Sequence, residues 1–316
     1  MPAQFWFFLC FPGLPALVIF IYARKLIKAR KEAARPFNEM RRHPAHSLIQ
    51  RADDQWETFT TWLSMTAMVA VLPWLVFTLS EGEAVITPLI FGLITSPICL
   101  WRMWVAYRPL PNWWLGIRGE QYVGAELDAI QDADLKVFHD LVVPDLNGEW
   151  NIDHVVVTRA GLFVVETKAK RKKQTVDAPC HKLSFDGHKV NFPDGSYEVD
   201  SVKQASRQAR WLEQKAREWC GGISVPVIPV LTYPGWWVDV TGKGEVQVVN
   251  PKQIYRVVKG RRAVLDERSW KIILSQLKTA TTVELPLEKK PRHRVEAPRK
   301  GERSGRKQNA IEPAGR

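Results

Sequence analysis

Acidic residues and cysteines are both scarce in this sequence. The 316-residue chain carries 33 Asp and Glu against 45 Lys and Arg, a formal net charge of +12. Such a balance favours anionic partners, nucleic acid or acidic lipid headgroups, and equally fits the basic bias of the cytoplasmic side of a membrane protein. The four cysteines, Cys10, Cys99, Cys180 and Cys220, lie far apart and form no CxxC pair, so neither a disulfide framework nor a zinc site is indicated. His181 and His188 stand near Cys180, but at no recognised ligand spacing. There is no P-loop, no G-x-S-x-G elbow and no Rossmann glycine fingerprint, so ATP-driven and hydrolase-triad chemistry have no support.

Apolar runs, by contrast, crowd the first third. Residues 5–22 are continuously apolar, close to the roughly 20 residues that span a bilayer core. Arg24, Lys25, Lys28, Arg30 and Lys31 follow at once, and no charged side chain precedes the run. A secretory signal would place its charge first, so a retained transmembrane helix is expected. Residues 59–79 and 84–107 read as a second and third span, joined by the acidic Ser80-Glu81-Gly82-Glu83, with Arg102 and Arg108 at the exit. The positive residues flank one side of all three spans, which puts 24–58 and everything after Arg108 in the cytoplasm. Trp101, Trp104, Trp113 and Trp114 suit an interfacial belt there. The expectation is a multi-pass protein of the inner (plasma) membrane whose lipid bilayer is a partner; buried core helices of a soluble protein are the rival.

Five segments follow: a first span (1–23), a cytoplasmic loop with an amphipathic helix (24–58), a helical hairpin (59–107), a mixed α/β domain (116–285) and a basic tail (286–316). In the α/β domain, Val123, Leu127 and Ile130 mark one helix face. Residues 137–143 read as a strand and 144–148 as a turn. A helix is expected over 199–219, from its stripe of Val202, Ala205, Ala209, Leu212 and Ala216. Strands at 225–231 and 244–249 and a helix at 269–278 complete it. The tail is poor in apolar residues and rich in Lys, Arg and Pro, which predicts a disordered polycation.

The stretch IDHVVVTRAGLFVVETK, residues 152–168, reads as a hairpin with charge at its open end: Asp153, Glu166 and Lys168. Side chains alternate along a strand, so Glu166 and Lys168 share a face. With Ala160-Gly161 as a two-residue turn, Asp153 falls opposite Lys168 and Val155 opposite Glu166, and all three charges point one way. His154 then lies on the other face, as packing. Two carboxylates beside a lysine suit a hard divalent cation such as Mg²⁺, which prefers oxygen ligands and keeps water. They equally suit an ion cluster that blunts a sheet edge.

Gly119-Glu120, then NIDHVVVTRAGLFVVETKAK, then a helix bearing Gln204 resemble the nuclease-related domain (NERD) family, placed in the PD-(D/E)XK nuclease-like superfamily; the likeness covers 117–217. It implies a restriction-endonuclease-like mixed sheet with flanking helices. It also implies a catalytic set of Glu120, Asp153, Glu166, Lys168 and Gln204, with Asp153 and Glu166 holding Mg²⁺. Where the family often continues with a polar, Gly-containing stretch, this chain runs Ala169-Lys170-Arg171-Lys172-Lys173. That basic run, with Arg207, is either a nucleic-acid contact through counterion release or a solvated loop. Trp236-Trp237 reads as a base-stacking pair or as a packed aromatic turn.

The expectation is therefore a membrane-anchored, Mg²⁺-dependent nuclease-like protein acting on phosphodiester bonds, DNA above all. The alternative is a catalytically inactive nucleic-acid-binding or scaffold module tethered to the membrane.

Overall fold

In the computed structural model, residues 21–22, 24–25, 39–79, 86–145, 148–172, 181–259 and 261–284 are described. Most of the first expected span, the 80–83 link, Lys173 and the 286–316 tail lie outside the described residues.

The first described strand, β1 (Glu39–Arg41), precedes two long helices, α1 (His46–Leu79) and α2 (Ile86–Tyr107), and then α3 (Leu110–Asp128). Four strands of the main sheet come from β2 (Leu135–Asp145), β3 (Gly148–Thr158), β4 (Gly161–Thr167) and β8 (Val227–Thr232). Between β4 and β8 lie β5 (Lys182–Phe185), β6 (Val190–Asn191), β7 (Tyr197–Glu198) and α4 (Asp200–Trp219). The chain continues through β9 (Trp237–Val240), β10 (Gln247–Val249), a short helix α5 (Ile254–Lys259), α6 (Glu267–Ala280) and β11 (Thr282–Glu284).

The main sheet has the order β10-β8-β4-β3-β2, antiparallel from β4 through β3 to β2 and parallel from β4 through β8 to β10. β4 is central and buried along its whole length, which accounts for its unbroken apolar run. One face, through Val155, Val157, Leu162 and Val164, packs on Ala209, Leu212 and Ala216 of α4 and on Trp270, Ile273 and Leu277 of α6. The other, through Val156, Phe163 and Val165, packs on Val123 and Leu127 of α3 and on Ile254 and Val258 of α5. The domain is thus a mixed α/β fold with helices on both faces of its sheet.

A second, four-stranded sheet, ordered β7-β6-β5-β9, builds its own core from Leu183, Phe185, Val190 and Phe192 against Tyr233 and Trp236. Its strands are short and individually weak in pattern, and the sequence gives no sign of them. Trp236 is buried in that core while Trp237 is 58% exposed, so the aromatic pair divides between packing and surface.

The 24–58 segment departs from expectation. Rather than an amphipathic helix alone, it supplies β1, which pairs antiparallel with β11 at the far end of the domain. Helix α1 then starts at His46, well before the expected boundary at residue 59. Strand formation at Glu39–Arg41 depends on a partner more than two hundred residues away, which local periodicity cannot reveal.

Helices α1 and α2 pack against each other, with Gln55 donating to the Ala106 carbonyl at 3.0 Å and the Arg102 guanidinium 5.0 Å from the Trp62 ring centre. The Phe59–Tyr107 ring pair extends this contact, and the Trp56–Trp114 pair joins α1 to α3. Much of α2 faces outward, including Ile90, Leu93, Ile94 and Ile98. Among the described residues, one helical stretch, Ile90–Asp128, is long and apolar enough to cross a membrane, and 11% of its most apolar part is buried.

Candidate active site

The hairpin turn sets the site. Thr158 pairs with Gly161, so the turn is Arg159-Ala160 rather than Ala160-Gly161. Gly161 has φ +133°, and a Cβ there would stand 2.5 Å from the Pro226 carbonyl oxygen, so only glycine fits this entry into β4. The register is therefore two residues away from the one expected. Continued from the His154–Val165 pair, it sets Asp153 across from Glu166, not from Lys168. A two-residue shift preserves the alternation of faces, so the three charged groups still converge.

Asp153 is buried, and its Oδ2 accepts from the Thr167 N–H at 2.8 Å. Glu166 is 1% exposed and held at both oxygens: Lys168 Nζ lies 2.7 Å from Oε1, and Gln208 Nε2 donates to Oε2 at 2.7 Å. Lys168 also donates to Gln204 Oε1 at 3.0 Å. Glu120 reaches the same cluster from α3, where Gly119 permits close approach: a Cβ on Gly119 would come within 2.7 Å of Ala169 Cβ. The structure thus brings together Glu120, Asp153, Glu166, Lys168 and Gln204.

Electrostatics make the cluster one unit. Burial, then the charges of Glu166 and Asp140, push the Glu120 carboxyl up to about 8. Burial, then Glu166 and Glu120, hold Asp153 well above the usual carboxylate range. Burial pulls Lys168 down, but Glu166 and Asp153 outweigh it and keep its ammonium above the ordinary lysine value. Three acids against one lysine are too many to ionise together in a poorly solvated place, so they hold protons that a bound cation would displace. Glu120 Oε2, Thr167 Oγ1 and Gln208 Oε1 are buried with no hydrogen-bond partner among the described residues, so unused acceptors collect around the carboxylates. Among the described residues, no group of three or more His, Cys, Asp or Glu is arranged to hold a metal ion. The donor set is a carboxylate pair, not a cage; that suits Mg²⁺, which usually takes one or two carboxylates and retains water.

Two residues here were not anticipated. Gln208 sits one turn beyond Gln204 on the same face of α4, and that i, i+4 spacing could have found it. Asp140 lies in β2 with φ +51° and is fully buried. Its Oδ2 takes Arg42 Nη1 at 2.6 Å, the Ser47 N–H at 3.1 Å and Ser47 Oγ at 2.7 Å; its Oδ1 takes Asn151 Nδ2 at 2.9 Å. An aspartate within the apolar VFHDLVV run was the available signal. This network ties the segment before α1 to the strand beside Asp153.

His154 is fully buried on the α3 side, its Nδ1 2.9 Å from His139 Nδ1, and His139 Nε2 lies 3.0 Å from Asp128 Oδ1. Burial, then the neighbouring His139, holds His154 well below the usual histidine range, so it packs as a neutral ring.

The basic run is partly drawn inward. Lys170 lies 3.3 Å from Glu198 Oε1 and 3.5 Å from the Phe192 ring centre. Arg171 donates to Asn112 Oδ1 at 2.8 Å and to the Pro111 carbonyl at 3.0 Å, fastening the start of α3 to the domain. Lys172 and Arg207 are exposed.

The profile of the nuclease-related domain family, NERD, matches residues 115–234, a segment that contains α3, the hairpin and α4. No curated protein and no solved structure matches the chain.

Proposed function

We propose that this chain is a membrane-anchored, nuclease-like protein that hydrolyses phosphodiester bonds in nucleic acid, DNA above all, with Mg²⁺ held by Asp153 and Glu166. One observation carries the reading: Glu120 and Asp153 are buried against Glu166 beside a single lysine, and burial and that neighbouring carboxylate raise the proton affinity of both. A fold tolerates that repulsion at a stability cost, and such clusters concentrate where chemistry needs them. When bound, a divalent cation supplies Lewis acidity toward the scissile phosphate. Lys168 offers its ammonium to the charge that develops there. Gln208 and Gln204 fix Glu166 and Lys168 in place, and Glu120 keeps its proton at neutral pH as a donor beside the reacting groups. The outward apolar face of α2 and the basic flank of the expected spans support anchoring in the inner membrane, with the domain in the cytoplasm.

The test uses the full chain in detergent, because β1 and Arg42 complete the domain. Labelled linear DNA is incubated with Mg²⁺ or with EDTA. Fragments only with Mg²⁺ support the proposal. DNA bound but left intact under both conditions would make this a tethered binding module.

A further inference from the structure

We propose that an open cavity beside α4, the helix that carries Gln204 and Gln208, seats one unstacked nucleotide of a single-stranded nucleic acid. The inference rests on the nuclease-like reading and narrows its substrate. The cavity holds about 800 Å³ and lies along α4 on the flank away from Gln208. Pockets of some 300–1,000 Å³ enclose small organic ligands, so a base with its sugar and phosphate fits.

Val199, Val202 and Val246 give the cavity an apolar lining suited to the face of a base. Lys203, Arg207 and Arg210 stand on the same helix at i, i+4 and i+7, so their cationic heads form one stripe along the rim. Lys203 and Arg207 are exposed; Arg210 shares its charge with Glu245 at 3.1 Å, an exposed pair that contributes little. The opposite wall is formed by Gly187-His188 and Gly244-Glu245. A Cβ on Gly187 would sit 2.3 Å from the Lys243 carbonyl oxygen, and one on Gly244 would sit 2.4 Å from that of Gly187. The two loops therefore meet peptide to peptide at the glycines, with His188 and Glu245 beside them.

Location links cavity and site. Arg207 is less than one helical turn from Gln204, whose amide oxygen takes the Lys168 ammonium. A phosphate held by Arg207 would thus lie within one turn of α4 from Gln204. Duplex bases are stacked and paired, and enter a recess only at the cost of unpairing and unstacking; a single strand can turn a base out of line at little cost.

The test reads binding of a fluorescein-labelled twelve-residue oligothymidylate, and of a duplex of equal length, to the full chain in detergent with EDTA. Ser206→Trp fills the cavity and keeps every charge; Lys203→Gln with Arg207→Gln removes two charges and keeps the space. Ser206→Trp should weaken single-strand binding roughly tenfold and leave duplex binding within about twofold, which also reports an intact fold. The double variant should flatten the single-strand salt slope by about 1.4, at roughly 0.7 per phosphate contact. Unchanged single-strand binding in Ser206→Trp, or equal loss on the duplex, overturns the pocket. Displacement of the oligomer by thymidine monophosphate at matched nucleotide concentration would assign the cavity to a free nucleotide and overturn the strand reading. Cleavage is measured separately with Mg²⁺, so a chain that binds the single strand but does not cut refutes hydrolysis and not the pocket.

Discussion

Replacing Glu120 with glutamine should make the protein more stable at alkaline pH. The Glu120 carboxyl is pushed from 4.5 to about 8, by burial first and then by Glu166 and Asp140. The folded chain therefore binds more protons than the unfolded chain between those values. Stability from this group is fully present below about 4.5 and is lost as pH rises toward 8. At 1.36 kcal/mol per unit, the ceiling on the loss is about 5 kcal/mol. Asp153 is raised by burial and then by Glu166 and Glu120, so the titration belongs to the cluster and a loss of about 2 kcal/mol is the working figure. For a domain of this size that is ~4–8 °C in Tm. Glutamine keeps the shape and cannot ionise. Thermal unfolding by tryptophan fluorescence, from pH 5 to pH 8.5 in EDTA, should show Glu120→Gln and wild type converging at the acid end. They should separate by several degrees at pH 8, with the variant higher. Parallel curves across the range would mean that Glu120 is not held in a repulsive, desolvated cluster. Adding Mg²⁺ at pH 8 should raise the wild-type Tm more than that of Glu120→Gln.

Asp153→Asn and Glu166→Gln should each reduce Mg²⁺-dependent cleavage by at least about a hundredfold, and the double variant little further, since residues that act as a unit are non-additive; additive losses would refute a shared site. Arg42→Ala strips one partner from the buried Asp140 carboxylate and should destabilise by about 2–3 kcal/mol, read by denaturant unfolding, with Ser47 and Asn151 limiting the damage. Gly161→Ala should block native folding of the hairpin or cost several kcal/mol, because its Cβ would meet the Pro226 carbonyl at 2.5 Å; a near-neutral result would mean that β4 can shift. Reporter fusions at Gly82 and Pro298 should report opposite sides of the membrane, and equal cytoplasmic signal would refute the topology.

The sequence by itself determined the elements whose signal is local. The apolar period of α4, the buried run of β4, and the pairing of β3 with β4 all follow from side-chain alternation and a turn. Alternation also put Asp153, Glu166 and Lys168 on one face and His154 on the other, and that conclusion survived a two-residue error in register because the period of a strand is two. Tertiary structure decided the rest. The choice between turn residues fell to Gly161, pressed against Pro226, a contact with a distant segment. Strand β1 exists because β11 lies beside it, and Asp140 can be buried because Arg42 and Ser47, just before and at the start of α1, reach it from more than ninety residues away in sequence. The α4 cavity is a space between a helix and two glycine loops, so no residue of any one of them encodes it alone. Local physics fixes which groups a segment can present; only packing fixes what each of them meets.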